Sequence, residues 1–583
     1  MSADLIVLKF GGSVLKSPAT LSSAVQEIYR FRRDGYRVVA VVSAFAGDTD
    51  ARLSRCRALG DALSPHAVAA HVALGEHEAA SLLVVLLDAA GVPAALLSPA
   101  DAGLGAHGAV LDAEPLALPA PRLHEALARG DVVVVPGFAG VLPDGRTALL
   151  GRGGSDLTAL FLADRLGARC RLVKDVDGLY DRDPNEGAQN DSEPARRFAT
   201  ASFADALATD GSIVQHKAIA FARARGLAFE LGNAGAAAPT RIGQLPTAFA
   251  QQRAVRRPLR IAVLGLGTVG GGVVAALQRD PAHWQIVAVA TRSAASPRAA
   301  EFRDLPWTTA AAAAGGCAAD VVVECTGDVV TARACIATAL RNGADVVTAN
   351  KAVLAQHGGE LHALAAQLGR RIAASAAVGG SAPILEAIAR GRRQGLSLVR
   401  LRGVLNGTAN HVLEDLRRGS SLPAALERAR TRGLAEADAA RDLDGRDAAD
   451  KLAVLAHAAG CAIERVEVEA LADHHAACLG TAAPPDGGRW RQVAELDLRG
   501  VAPRARVAVE CVPPGVPLHE LPDEWNAACI EWNDGTRQVA RGRGAGRLPT
   551  ALAVLADLDD LRRRHARRAP RPAAVPATRD QHV

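Results

Sequence analysis

The strongest constraint on this chain is the segment Arg260-Ile-Ala-Val-Leu-Gly-Leu-Gly-Thr-Val-Gly270. A short apolar run with the length of a buried strand ends in a glycine turn, and an Ala/Val-rich helical stretch follows. Glycines 265, 267 and 270 permit a tight turn and let a pyrophosphate approach a helix N-terminus. Gly265, Leu266, Gly267, Thr268, Val269 and Gly270 are therefore candidate dinucleotide contacts. A second strand-like run ends at Ala290, where an acidic residue would favour NAD. Thr291-Arg-Ser293 stands there instead. Arg292 suits a 2′-phosphate, so NADP is the expected cofactor and NAD the alternative.

Runs of the same kind recur at Ile6–Lys9, Val38–Val42, Val132–Val135, Ile286–Ala290 and Val321–Glu324, alternating with Ala-rich helical stretches. This alternation means α/β layers with parallel sheets. At 583 residues the chain is too long for one core, and 49% hydrophobic content is ample for several. The polar, basic stretch Gln251-Gln-Arg-Ala-Val-Arg-Arg-Pro258 marks a linker before a fresh strand. The expected plan is a first domain over 1–247, a linker over 248–258, a dinucleotide domain over 259–380, a catalytic domain over 381–560 and a basic tail over 561–583. The tail carries seven Arg and three Pro and is expected to be frayed. A net charge of +5 gives no argument for nucleic acid or a membrane. The most apolar stretch, Ala79 to Leu97, is interrupted by Asp88 and Pro93. Nine cysteines without CxxC spacing suit reduced core residues in a cytoplasmic setting.

In the first half, Lys9-Phe-Gly-Gly-Ser13 follows a strand, and glycines beside a Lys suit a transferred phosphate. It is not a Walker A loop, because GK[ST] is absent. Val42-Ser-Ala-Phe-Ala-Gly-Asp-Thr49 comes next. Gly75-Glu76 is expected to begin a helix. Gly151-Arg-Gly-Gly-Ser-Asp156 joins a strand to a helix, and Lys174-Asp-Val-Asp-Gly-Leu-Tyr180 follows. In this order the segments resemble the amino-acid kinase superfamily, aspartokinase in particular, over about residues 4–243. The resemblance implies that Lys9 stabilises the phosphoryl group in flight and that Asp156 orients Lys9 or the substrate. Gly11, Gly12 and Ser13 would cradle ATP phosphates, with Asp175 and Tyr180 lining the nucleotide site. Thr49, Glu76, Arg152 and Ser155 would hold aspartate, and Mg²⁺ would enter with ATP. Departures from the family fall on the nucleotide side: Asn185 replaces a basic residue, Ile213 replaces a Lys with Lys217 close by, and Lys174 stands where Thr is usual. Ala79 and Ala80 stand near a usual Ser. A working kinase with weak ATP affinity is expected.

In the second half, Glu324-Cys-Thr-Gly327 and Thr348-Ala-Asn-Lys351 both follow strands, where Rossmann sheets place ligands. Gly433 to Lys451 carries Glu436, Asp442, Asp447 and Lys451. Asp447 and Lys451 are four apart and share a helix face. A Lys held by carboxylates can give a proton to a carbonyl oxygen as hydride arrives. With Leu405-Asn-Gly-Thr-Ala-Asn410 and Gly542-Arg-Gly-Ala-Gly-Arg-Leu-Pro-Thr550, this half resembles homoserine dehydrogenase over about residues 259–560. The resemblance implies acidic site residues at Glu436, Asp442 and Asp447, with substrate held by Glu436 and Asp447, and a proton donor at Lys451. It also implies a Lys beside nicotinamide and substrate at Lys351, and cofactor contacts at Thr326, Gly544 and Thr550. Leu405–Asn410 would belong to the catalytic domain's sheet, and the assembly would be a homodimer or homotetramer. Backbone carbonyls of Val378, Gly380 and Ala382 would offer ligands to Na⁺, although Ser375 replaces an expected acid and Ser381 a usual Gly.

The implied fold is an amino-acid-kinase-like α/β sandwich, fused to a Rossmann domain with an α+β catalytic domain. Between the halves there is no room for a regulatory domain of ~70 residues of the kind aspartokinases commonly carry. The leading reading is a bifunctional biosynthetic enzyme acting on small molecules: aspartate in one half, aspartate semialdehyde and homoserine in the other. The alternatives are a dehydrogenase with a kinase-like scaffold or sensor, and a non-catalytic regulator that binds NADP and amino acids.

Overall fold

The computed structural model describes residues 5–60, 62–182, 195–251, 257–291, 301–308, 318–432, 434, 440–471, 485–522 and 524–567. Alternation in the first strand, Leu5–Phe10, explains the first layer structure. Ile6, Leu8 and Phe10 face one way, into a core with the Leu21–Arg33 and Pro65–Ala89 helices. Val7 faces the other way, toward the Gly154–Leu166 and His216–Arg225 helices. Lys9 shares the side of Val7, two residues on. Period two thus carries one polar residue to the strand's C-terminal end on the face of the Gly154–Leu166 helix.

The sheet has nine strands, in the order Ala248–Phe249, Phe198–Ser202, Thr240–Gly243, Phe229–Gly232, Arg169–Val173, Leu5–Phe10, Arg37–Val42, Val132–Pro136 and Ala94–Leu96. Neighbours are parallel except at Phe229–Gly232 with Thr240–Gly243 and at Ala248–Phe249 with Phe198–Ser202. The second exception moves a boundary: residues 248–249, expected in the linker, are the sheet's edge strand. A second correction concerns Gly75-Glu76. It lies in the middle of the 25-residue Pro65–Ala89 helix, because the apolar periodicity begins well before it, after Pro65 at the first turn. By length and composition that helix could cross a membrane. Here its Ala79, Ala80, Leu83 and Leu87 are core residues.

The second sheet is wholly parallel, in the order Trp307–Thr308, Trp284–Ala290, Leu259–Leu264, Val321–Glu324, Asp345–Thr348 and Ile372–Ala373. In chain order this is 3-2-1-4-5-6, the doubly wound dinucleotide arrangement, with its switch point beside Leu259–Leu264. A third sheet has the order Glu467–Val468, Arg504–Val512, Arg489–Asp497, Leu398–Val404, Trp525–Trp532 and Arg537–Arg543. It is antiparallel but for its first pair. Leu405–Asn410 was expected in this sheet. The strand stops at Val404, and Asn406 caps the Gly407–Arg417 helix with its side chain, accepting from the Ala409 N–H. An Asn ahead of an apolar helix competes for the backbone in just this way.

The chain then returns to the cofactor sheet. The Arg547–Arg567 helix packs Ala551, Val554, Leu558 and Leu561 against the Rossmann core, and Leu552 and Ala556 against the kinase-like core. Its reach corrects the expected tail: residues 561–567 are helical, because Leu561 is 3% exposed and anchors that turn.

The two units also meet through charge. Arg33, at the end of the Leu21–Arg33 helix, lies 2.5 Å from Asp557, 2.9 Å from Glu386 and 2.9 Å from the Ser375 hydroxyl. Asp557 accepts from the Ser375 N–H at 2.9 Å and its hydroxyl at 2.6 Å. Burial pushes Asp557 up to about 6 although Arg33 pulls the other way. Breaking such a buried set by removing one partner typically destabilises by about 3–5 kcal/mol.

Candidate active sites

In the second half, the Lys351–Gln367 and Arg446–Ala459 helices pack together and bring their polar first turns face to face. Asp447 stands between two ammonium groups, 2.8 Å from Lys351 Nζ and 2.7 Å from Lys451 Nζ. Lys451 also donates to the Leu405 carbonyl at 2.6 Å. Asn406 donates from one amide to Asp442 and Asp447, both at 2.9 Å. Asn526 donates to the same Leu405 carbonyl at 3.0 Å. Asp447 and Lys451 are buried. Burial would raise the Asp447 carboxyl, but Lys451 and Lys351 outweigh it and hold it at about 2. Burial would lower Lys351, but Asp447, with Asp442 and Asp450 behind it, keeps it above its ordinary value. Burial and the neighbouring Asp447 raise Asp442, against its bond from Asn406.

Beside this cluster a second buried carboxylate organises the strand ends. Glu324 accepts from the Thr326 N–H at 2.7 Å, its hydroxyl at 2.6 Å and the Thr348 hydroxyl at 2.5 Å. Asn350 donates to the Thr326 carbonyl at 3.1 Å and caps the helix that begins at Lys351. Burial raises Glu324. The Thr326 hydroxyl thus turns to Glu324, and the residue itself is half-buried at the strand end. The glycine turn before Thr268 is built for close approach. Gly265 has φ +91°, and a Cβ on Gly270 would lie 1.9 Å from the Gly265 carbonyl oxygen. A Cβ on Gly267 would meet nothing within 4 Å, and no side chain caps the Thr268–Leu277 helix there. This open, uncapped helix start fits a pyrophosphate. Thr550 is buried in the first turns of the Arg547–Arg567 helix, and Gly544 packs flat against the Asn526 amide, where a Cβ would lie 2.4 Å away. Arg292 and Glu436 lie outside the described residues.

In the Val378-Gly-Gly-Ser-Ala-Pro383 turn one of the three expected carbonyls is already engaged. The Ala382 carbonyl accepts from the Ile384 N–H at 2.8 Å, and Gly380 is pressed against Arg543 and Gly544, where a Cβ would lie 2.3 Å from the Arg543 carbonyl oxygen. Ser375, where an acid was expected, is paired with Asp557, and the positive charge beside them is Arg33.

In the first half, Asp156 stands in the first turn of its helix between two lysines, 2.7 Å from Lys9 Nζ and 2.9 Å from Lys174 Nζ. Burial would raise Asp156, but Lys174 and Lys9 hold it at about 2. Burial brings Lys9 down to about 8, against the pull of Asp156. Lys174, noted in the sequence as a departure, is thus part of the cluster. Gly11 lies against Lys9, where a Cβ would be 2.7 Å from Nζ. Ser155 lies under Gly137, Gly12 is half-buried, and Ser13 is exposed. Glu76 is 2% exposed, and burial pushes its carboxyl up to about 7. Thr49 opens the Asp48–Leu59 helix nearby. Arg152 is exposed at a cavity of about 410 Å³ shared with Gly151, Asp210, His216 and Lys217. Lys217 is held by Asp112 at 2.8 Å and donates to the Leu150 carbonyl at 3.1 Å, so it braces the cavity wall. Asp175 is exposed, and Tyr180 donates to Asp177 at 2.7 Å on the same loop.

Comparison with known proteins matches the two halves to different families. Residues 4–228 match the amino acid kinase family, 265–375 the homoserine dehydrogenase NAD binding domain, and 383–558 homoserine dehydrogenase. A homoserine dehydrogenase of Pseudomonas aeruginosa is 32% identical over 333 residues, covering 52% of this chain and 72% of that protein. An aspartate kinase of Stutzerimonas stutzeri is 34% identical over 222 residues, covering 37% of this chain and 53% of that protein. This chain therefore spans about half the length of that kinase. A solved homoserine dehydrogenase from Thiobacillus denitrificans is 33% identical, covers 53% of this chain and 74% of that chain, and has a TM-score of 0.47. The chain belongs to the homoserine dehydrogenase family and carries, in the same polypeptide, an aspartokinase-like amino acid kinase domain.

Proposed function

We propose that the chain catalyses two reactions of one biosynthetic route. The second half reduces L-aspartate 4-semialdehyde to L-homoserine with NADPH, and the first half phosphorylates L-aspartate with ATP to 4-phospho-L-aspartate. The observation that carries the first assignment is Asp447 held between Lys351 and Lys451. When bound, the nicotinamide supplies hydride to the carbonyl carbon. Lys451, aimed by Asp447 and the Leu405 carbonyl, gives the proton to the carbonyl oxygen. Lys351 keeps its charge under Asp447 and draws the substrate's polar end toward the cofactor side. Glu436 and Asp447 meet the substrate ammonium. Residues 265–270 and Thr326, Gly544 and Thr550 bound the dinucleotide, and Arg292 meets its 2′-phosphate. No cation at 378–382 is part of this reading.

In the kinase-like half, Lys9 and Lys174 flank Asp156 and supply positive charge at one point, which suits a phosphoryl group with charge spread over its oxygens. A substrate carboxylate oxygen forms the new bond to phosphorus as the bond to the ADP oxygen breaks, with Mg²⁺ accompanying the nucleotide. Arg152 forks onto a substrate carboxylate and Glu76 takes its ammonium.

The test is two separate assays on the purified full chain: ATP-dependent aspartyl hydroxamate formation, and homoserine oxidation with NADP⁺ and with NAD⁺. Hydroxamate lost in Lys9→Ala and Asp156→Ala supports the kinase. No hydroxamate from the parent chain leaves the dehydrogenase as its chemistry. Higher kcat/KM with NAD⁺ than with NADP⁺ refutes the role given to Arg292.

A further inference from the structure

The helix that carries Glu76 ends at Ala89, and Gly91, in the turn just after it, touches the other half of the chain. Its carbonyl oxygen accepts from the Ser381 hydroxyl at 2.7 Å and from the Arg543 N–H at 3.3 Å. The approach is close because Gly91 has no side chain: a Cβ there would lie 2.5 Å from both the Ser381 hydroxyl and the Arg543 Cβ. Asp88, one turn earlier, pairs with the Arg543 guanidinium at 3.1 Å. Ser381 is fully buried, and its N–H donates to the Arg543 carbonyl at 3.0 Å. Gly380 and Gly542 complete the junction, each too close to its neighbours for a Cβ.

The next residue is Gly544, packed on the Asn526 amide. That amide donates to the Leu405 carbonyl, which is also the acceptor of Lys451 Nζ. A continuous run of backbone and side-chain contacts therefore joins the kinase helix to the ammonium of Lys451. Ser381, Asn526 and Lys451 are buried and Arg543 and Gly544 half-buried, so a displacement at one end is passed along packed neighbours rather than absorbed by solvent.

We propose that the kinase-like unit is a positioning part of the dehydrogenase: Gly91, through Ser381 and Arg543, fixes the Asn526–Leu405 support that aims Lys451. Ser381 is a positioning residue in this scheme, acting through Arg543 and Asn526. The hydroxyl at 381 has one acceptor across the junction, the Gly91 carbonyl, and that acceptor belongs to the other unit. The inference rests on the role given to Lys451.

The experiment compares Ser381→Ala, Gly91→Ala and Lys451→Ala in the full chain, by homoserine oxidation at saturating NADP⁺. Ser381→Ala removes the oxygen that donates to the Gly91 carbonyl and that also accepts from the Arg543 N–H at 3.1 Å, but the Arg543 N–H and the Gly91 carbonyl keep their bond to each other at 3.3 Å, so neither is orphaned and the fold is retained. The expected result is a fall in kcat of about 2- to 10-fold, the worth of one buried hydrogen bond. KM for NADP⁺ stays unchanged and the solvent deuterium isotope effect on kcat increases, because proton transfer has become slower. Gly91→Ala wedges the same junction from the kinase side and lowers kcat at least as far; if it does not fold, Ser381→Ala decides. Unchanged kcat in Ser381→Ala, or a fall with an unchanged isotope effect and a matching rise in KM, overturns the proposal. Lys451→Ala separates the two failures. If it is inactive while Ser381→Ala is normal, only the coupling is wrong. If it is active, the assignment of Lys451 is wrong.

Discussion

At the scale of single residues, both sites use one carboxylate to hold two lysines. Asp447 and Asp156 each stay ionised to about pH 2 because the paired ammonium groups outweigh burial. The consequences differ by role. Lys451→Ala removes the proposed proton donor while Asp447 keeps Lys351, so turnover of homoserine is expected to fall about 10²–10⁴-fold with the fold intact. Steady-state rates and circular dichroism on the same sample check this, and near-normal turnover contradicts it. Glu76 makes a pH prediction. Burial holds it at about 7, and it must be ionised to take an ammonium. Apparent aspartate affinity should therefore drop about tenfold per pH unit below about 7 and level off above it. Glu76→Gln should bind aspartate weakly with no such slope; a parent profile flat from pH 5.5 to 8 would remove Glu76 from the substrate site. The sign for stability is the reverse. A carboxyl raised on folding favours the folded state at low pH, and that contribution is lost as pH rises through about 7.

At the scale of elements, the glycine turn at 265–270 was legible because glycine spacing, strand length and the following helix all pointed the same way. Gly270→Ala tests that reading: its Cβ would stand 1.9 Å from a backbone oxygen, so the turn must open. An overpacking cost of about 1–3 kcal/mol is expected, with a higher KM for NADP⁺, a lower thermal midpoint of the dehydrogenase unit and unchanged hydroxamate formation. Equal NADP⁺ kinetics in the variant would mean that the cofactor lies elsewhere. Legible too were the six buried strands and the Asp447–Lys451 helix face, each fixed by local periodicity. What sequence could not supply was the pairing between distant elements. Lys351 meets Asp447 across 96 positions, and Lys174, just past the Arg169–Val173 strand, joins Asp156 on the Gly154–Leu166 helix. Asn406 was quoted without a role; its position just before a helix was the available signal, since a cap's side chain is already turned away from the helix axis. Glu76 was misplaced to a helix start because Gly75 resembles a boundary, yet burial of the flanking turns keeps the helix continuous.

At the scale of the molecule, the last kinase strand ends at Phe249 and the first Rossmann strand begins at Leu259, with no regulatory domain between them. Control by a distant amino acid needs a separate site linked to a two-state element. Millimolar L-threonine should therefore leave both rates within experimental error of the control; a sigmoidal inhibition curve in either assay would show that such a site exists elsewhere in the chain. The direct contacts between the units, Arg33 among Ser375, Glu386 and Asp557 and Gly91 against Ser381, leave little freedom for one unit to move without the other.

The Arg547–Arg567 helix gives the molecule an order of assembly. The kinase-like sheet and the six Rossmann strands are all synthesised before residue 374, yet the helix that closes the Rossmann core leaves the ribosome more than 170 residues later. Until it arrives, one face of the cofactor sheet is covered only in part, by the Thr268–Leu277 helix, and the patch of kinase core that receives Leu552 and Ala556 is open. A nascent chain interrupted before residue 547 would hold two unfinished cores, and both would present apolar surface to whatever chaperone or protease meets them. The same short segment that completes one enzyme therefore marks the other as finished.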